Sequence, residues 1–242
     1  MKDKSLKEIA KKVVDSNYFV LIAVWIIMCI VFTKLQSNFF SYRNMLNILT
    51  SGSLVGLLCI GEAYLIIAGM IELSAGAVAA FSGVLAAILA RDGLPLGAIL
   101  PITIAGGLLF GLLNGLLVTK IKLQPFITTL ATMSIARGLA YIICQVKPVR
   151  MNSGQPGAAA NVDTDAITAV VLGGIAMTGG TGTMFGTFLG LLVLLTLNNG
   201  LLVLGVTTYW QNVAKGVVLV FALALDFYRT KRRNKVKETP HN

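Results

Sequence analysis

Apolar runs of bilayer-spanning length follow one another along almost the whole of this 242-residue chain, and they decide its solvent before any other property of the fold. They lie at 18–33, 46–69, 74–90, 95–118, 124–144, 165–178, 182–204 and 209–227, with mostly short connections between them. A helix that crosses the hydrocarbon core needs about 20 residues, and there the backbone must satisfy its own polar groups. The expected fold is therefore all-α: a polytopic transmembrane helix bundle of about eight spans or half-spans, with 165–178 short enough to be a half-helix or re-entrant piece. Composition agrees, since 56% hydrophobic and 12% charged residues give too much apolar surface for one water-soluble core.

The net charge of +10 is concentrated at the two ends. Lys2, Lys4, Lys7, Lys11 and Lys12 crowd residues 1–16, which also space Leu6, Ile9, Ala10, Val13 and Val14 like one face of a helix. Arg229, Lys231, Arg232, Arg233, Lys235 and Lys237 crowd 228–242. Basic segments flanking apolar spans follow the positive-inside rule, so both termini are expected on the cytoplasmic side, and nucleic acid is not an expected partner. The domain reading is an amphipathic cytoplasmic segment at 1–16, a transmembrane domain at 17–227 and a basic cytoplasmic tail at 228–242. The first run follows the basic segment without a small-residue cleavage site and reads as an uncleaved span. Within the transmembrane domain, 145–164 is the longest polar interval.

Several chemistries lack their residues. The sole histidine, His241, lies in the tail, which leaves no zinc-protease or Ser-His-Asp arrangement. Cys29, Cys59 and Cys144 show no C-x-x-C spacing and read as buried small hydrophobes, so no metal site and no cofactor are expected. No G-x-x-x-x-G-K-[ST] is present, and "GGTGT" at 179–183 reads as a tight turn between helices. With no nucleophile beside a base and no metal set, the chain is not expected to be an enzyme.

Two segments carry glycine at every fourth position: Gly107, Gly111 and Gly115, then Gly182, Gly186 and Gly190. Small residues at this spacing let helices approach closely in lipid, where the hydrophobic effect gives little drive for association. Both glycine faces are expected to pack against other helices. "LLNGLLV" at 112–118 and "LNNGLLV" at 197–203 hint at two related halves.

An ionisable group at membrane depth costs roughly 2.5–3.5 kcal/mol on the insertion scale, so each one needs a reason. Glu62, inside "LLCIGEAYLIIAG", either lines a polar pathway or bonds a neighbouring helix, and in both cases belongs inside the bundle. Glu72 and Asp165 lie at segment ends, where the N-terminus of a following helix stabilises a carboxylate. Arg137 faces a cavity or snorkels to the surface. Thr128, Thr129 and Asn114 present hydroxyl and amide groups to a polyol or bond their own surroundings. Glu62, Asn114, Thr128, Thr129 and Arg137 are the candidate substrate-pathway residues.

Three stretches, "GMIELSAGAVAAFSG" (69–83), "GLLNGLLVTKIKLQPFITTLATMSIARGLA" (111–140) and most of 165–226, closely resemble the membrane permease subunits of ribose-type ATP-binding-cassette (ABC) importers. The resemblance implies transport of a monosaccharide or related small polyol across a bacterial cytoplasmic membrane. It also implies ATP hydrolysis on separate cytoplasmic ATPase subunits, an extracytoplasmic sugar-binding protein and a second permease subunit, identical or different. It assigns no substrate contact to a residue and does not name the sugar.

In the family, the segment like "SIARGLAYIICQ" leads through an outer loop, a span, a cytoplasmic loop and a further span before a stretch like "RMNSGQPGAAANVDTDAI". Here Val149 abuts Arg150 across that block, an internal deletion of about 70–80 residues judged from bilayer thickness and loop lengths. Losing two spans preserves an even count. The missing loop is the family's ATPase-docking helix, so the deletion bears on energy coupling. The alternatives are a degenerate, non-transporting permease remnant and an ion-coupled secondary carrier using Glu62.

Overall fold

A computed structural model describes residues 17–144 and 161–238. The expected segment at 1–16, the Val149–Arg150 junction and the last four residues lie outside the described residues. Those described form eight helices and no strand: α1 (Asn17–Leu35), α2 (Tyr42–Ile67), α3 (Ala75–Arg91), α4 (Leu96–Thr119), α5 (Pro125–Ile143), α6 (Val162–Leu172), α7 (Met184–Val203) and α8 (Thr208–Glu238). Six are long and apolar enough to cross a membrane: α1, α2, α4, α5, α7 and α8 over Thr208–Tyr228. With 17 residues, α3 is shorter, and the 11 residues of α6 make it the anticipated half-helix. Helix α8 continues beyond residue 227, where the sequence suggested that a tail begins.

Local chemistry accounts for the helix ends. Ser41 caps α2, its hydroxyl accepting from the Asn44 N–H at 3.3 Å, and Gly69 at φ 77° follows the helix in the left-handed region. Pro125 opens α5 in the first turn, where a missing N–H costs nothing. Thr183 caps α7 by accepting from Gly186 N at 3.1 Å.

The chain divides into two compact units, Met70–Thr164 on one hand and Met1–Gly69 with Asp165–Asn242 on the other. In the first, α3, α4 and α5 each pack against the other two. In the second, α7 packs against α1, α2 and α8 and is the most buried of the six long helices. Polar contacts tie α1 along α7 in the same direction. Tyr18 Oη lies 2.7 Å from Thr183 Oγ1, Trp25 Nε1 donates to Thr196 Oγ1 at 3.0 Å, and just past α1 Gln36 Nε2 donates to the Val203 carbonyl at 3.4 Å.

The two glycine strings have different surroundings. A Cβ on Gly190 would run into the Ala169 carbonyl oxygen, and one on Gly186 into the Gly173 carbonyl oxygen. The backbones of α6 and α7 therefore touch, an approach open only to residues without a side chain. Gly182 is not on the helix but in the turn before it, at φ 145°, against Ile175. Along α4, a Cβ on Gly107 would make only ordinary contact with Ser82 and Val78, and at Gly111 and Gly115 it would meet nothing among the described residues. Among the described residues the expected packed face is therefore not met at Gly111 and Gly115. Spacing alone reports which positions are small, and within this chain the neighbours of α4 lie on another face.

Gly190→Leu should cost about 1–3 kcal/mol or more, because overpacking a backbone contact forces the helices apart. Gly111→Leu should change stability by less than about 0.5 kcal/mol. Reversible unfolding of the two variants in mixed micelles measures both.

Candidate functional site

The unit at Met70–Thr164 is built round a buried polar network centred on Asn114. The Asn114 side-chain amide donates to Glu72 Oε2 at 3.2 Å and to Ser74 Oγ at 3.0 Å, and its carbonyl oxygen accepts from Thr132 Oγ1 at 2.6 Å. Glu72 Oε1 in turn accepts from Ser74 Oγ at 2.6 Å and Ser74 N at 2.5 Å. Asn114 sits on α4 and Thr132 on α5, while Glu72 and Ser74 lie in the non-helical connection that leads into α3. One amide thus joins the three packed elements of this unit. The start of α3 also receives Asp163, whose carboxylate accepts from Gly76 N. A Cβ at Gly76 would fall within 2.9 Å of all three atoms of that carboxylate group, so glycine lets the acid reach the helix end.

The candidate residues divide between the two units. Asn114 and Thr129 join this network or its edge; Thr129 Oγ1 lies 3.4 Å from the Ile71 carbonyl oxygen and 3.3 Å from that of Phe126. Thr128 is buried, but its hydroxyl donates to Gln124 O one turn back in the chain, at 3.0 Å. Arg137 is half-buried on α5 and adds no hydrogen bond to the network. Glu62 belongs to the other unit, on α2, where it is 5% exposed. Glu72, read from sequence as a helix-end cap, is also the acceptor for Asn114. Only the folded connection before α3 brings those two together, 42 residues apart.

A second asparagine hub occupies the other unit. Asn199 on α7 and Asn44 on α2 exchange two side-chain hydrogen bonds at 2.8 and 2.9 Å, and Asn44 Nδ2 also donates to the Phe39 carbonyl at 2.7 Å. Asn114 and Asn199 hold matching places in "LLNGLLV" and "LNNGLLV", each one residue before a glycine near the C-terminal end of a long helix. Both are buried and both bond another element. Here the sequence similarity carries a shared structural job.

The same unit contains an ion pair whose lysine lies inside a helix of spanning length. Lys215 Nζ lies 2.7 Å from Asp165 Oδ2, with side chains 21% and 11% exposed. Asp165 therefore neutralises a lysine on α8, a role beyond the helix-end reading. Lys215 was legible in principle, because it interrupts the 209–227 run by the same rule that picked out Glu62. Among the described residues no group of three or more His, Cys, Asp or Glu has the arrangement to hold a metal ion.

The family described as "Branched-chain amino acid transport system / permease component" matches residues 44–156. The ribose import permease RbsC of Bacillus subtilis (strain 168) is 30% identical over 289 aligned positions, which take in 83% of this chain and 89% of the relative. The chain belongs to the family of ribose-type import permeases. The ribose import permease of Haemophilus influenzae is 25% identical over 311 positions, 91% of this chain and 95% of the relative. The galactose/methyl galactoside import permease MglC of Escherichia coli (strain K12) is 25% identical over 301 positions, 81% of this chain and 90% of the relative. No solved structure matches. This permease is a multi-pass membrane protein and a transport component, not an enzyme, and an ion-coupled secondary carrier is not the reading its relatives favour. The aligned lengths add a fact about the chain itself. With 311 positions aligned against 242 residues, at least 69 positions of the Haemophilus alignment have no counterpart here.

Removing one member of the ion pair leaves the other charge uncompensated. Lys215→Met should therefore destabilise the permease more than the double substitution Lys215→Met with Asp165→Asn, by about 1–3 kcal/mol given the partial exposure of both groups. Equal losses in single and double variants, measured by unfolding in mixed micelles, would count against a stabilising pair.

Proposed function

We propose that this permease is the membrane subunit of an ABC importer that carries a monosaccharide or related small polyol across the cytoplasmic membrane of a bacterium. It works as one of two permease subunits, identical or different, with both termini in the cytoplasm. ATP is hydrolysed by separate ATPase subunits, and an extracytoplasmic binding protein delivers the sugar. The observation that carries this reading is the 30% identity to a ribose import permease across 89% of that relative's length. Six apolar helices of spanning length, held by buried polar hubs, are what such a subunit needs.

The positions missing from the alignment support an internal shortening, which we assign to the Val149–Arg150 junction. By the family resemblance the absent block holds the cytoplasmic loop that docks into the ATPase. ATP hydrolysis biases a permease only through contacts that differ between its two states, so the loss of that loop weakens coupling. The "TKIKL" connection at 119–123 is too short to replace a docking helix.

Proteoliposomes containing cognate ATPase and binding protein test both statements. A version with the family block restored between Val149 and Arg150 should accumulate a pentose or hexose on ATP addition. The chain as it stands should do so at least about tenfold more slowly, a difference of roughly 1.4 kcal/mol in coupling. Equal rates from the two forms would overturn the coupling statement. No accumulation of any sugar by the restored form would overturn the importer reading.

A further inference from the structure

Beside the Asn44–Asn199 pair lies a cavity of about 230 Å³ whose polar lining includes Ser51, Asp165, Asn198, Asn199 and Gln211, with Leu202 among its apolar walls. All six residues belong to the unit formed by Met1–Gly69 and Asp165–Asn242. We infer that this cavity is a binding site for one small, uncharged, multiply hydroxylated molecule of monosaccharide size. The inference rests on the importer reading above and gives it a location within a single permease subunit.

The first observation is Asn198. Its side-chain oxygen is buried and has no hydrogen-bond partner among the described residues. Buried polar atoms are rarely left in that state, and an amide oxygen inside a membrane domain calls for a donor. Its neighbour in the chain is turned to another partner, since the Asn199 amide exchanges two hydrogen bonds with Asn44. The related string sharpens the point. Where α7 has Asn198 before its hub asparagine, α4 has Leu113, which is exposed on an apolar helix face. Helix and hub thus tolerate leucine at this place, so the amide at 198 is explained by what lies beside it.

The second observation is charge. Asp165 lines the cavity, but its carboxylate is held by Lys215 at 2.7 Å, so the charged wall is already neutralised from within the unit. An ion entering the cavity would find no unmatched opposite charge. A hydroxyl both donates and accepts, and so serves the bare Asn198 oxygen, the Ser51 hydroxyl and the amide oxygen of Gln211, whose Nε2 donates to the Val206 carbonyl at 2.8 Å. The third observation is size. The cavity has room for roughly seven waters and falls below the ~300–1,000 Å³ typical of sites for drug-sized ligands. A pentose, a hexose or a sugar alcohol suits that volume, with its C–H faces against the leucine wall.

The test uses the full chain in lipid nanodiscs and a panel of tritiated pentoses, hexoses and sugar alcohols, with a sugar phosphate as the charged comparator. At least one neutral member should bind saturably, and the sugar phosphate should not compete. Asn198→Leu, which copies the related string, and Ser51→Phe, which fills the cavity, should each weaken binding at least about tenfold while leaving the unfolding temperature near that of the parent. A readout that does not depend on affinity comes from Ser51→Cys in a chain carrying Cys29→Ala, Cys59→Ala and Cys144→Ala. The bound sugar should slow modification of the introduced thiol. Parent-like binding by both variants, or a thiol that the bound sugar leaves unprotected, would overturn the site. If the restored permease with its partners imports sugar while no panel member binds the chain, ordered water fills the cavity. The site is then lost and the importer reading stands.

Discussion

Polar side chains at membrane depth have to satisfy one another, and in this permease that requirement is met by asparagines placed where helices converge. Inside lipid the hydrophobic effect does not drive one helix against another, because the tails are as apolar as leucine. A buried amide that bonds a second element supplies direction that apolar packing lacks. Asn114 reaches both α5 and the connection into α3, and Asn199 reaches α2. Glu72 and Asp163 then become tolerable in a strongly apolar chain, because each carboxylate accepts from groups at or just before the start of α3.

Glycine completes the arrangement where polar bonds are not used. The backbone contact between α6 and α7 depends on Gly173, Gly186 and Gly190, since a methyl group at any of them would overlap a main-chain atom of the partner. Such an approach lets an 11-residue helix be held without a long interface. The same spacing on α4 has no such consequence among the described residues, where Gly111 and Gly115 face no neighbouring helix. A repeated small residue is thus a permission for close packing, and the partner decides whether it is used.

Helix positions were legible because bilayer thickness turns an apolar run directly into an element, and all eight runs became helices, most with ends shifted by a few residues and the last extended to Glu238. The half-helix at α6 followed from its length alone. Asn114 and Thr129 were visible as polar groups inside apolar runs, but their partners were not. Glu72 meets Asn114 across 42 residues, and Lys215 meets Asp165 across 50, distances over which hydropathy carries no pairing information. The match between "LLNGLLV" and "LNNGLLV" was the one sequence signal that pointed at both hubs. It became informative only once the two asparagines were seen to bond in the same way.

The central claim, that the asparagine hubs hold each unit together, is most directly tested by a double-mutant cycle on Asn114 and Thr132. Reversible unfolding in lipid-like micelles would be measured for Asn114→Leu, Thr132→Val and the pair together. The account predicts a coupling of about 0.5–2 kcal/mol between the two sites, the range for interhelical hydrogen bonds in membrane proteins, with the larger single loss at Asn114, since that change also strips a donor from Glu72. Additive losses with no coupling, or an Asn114→Leu protein as stable as the parent, would contradict it.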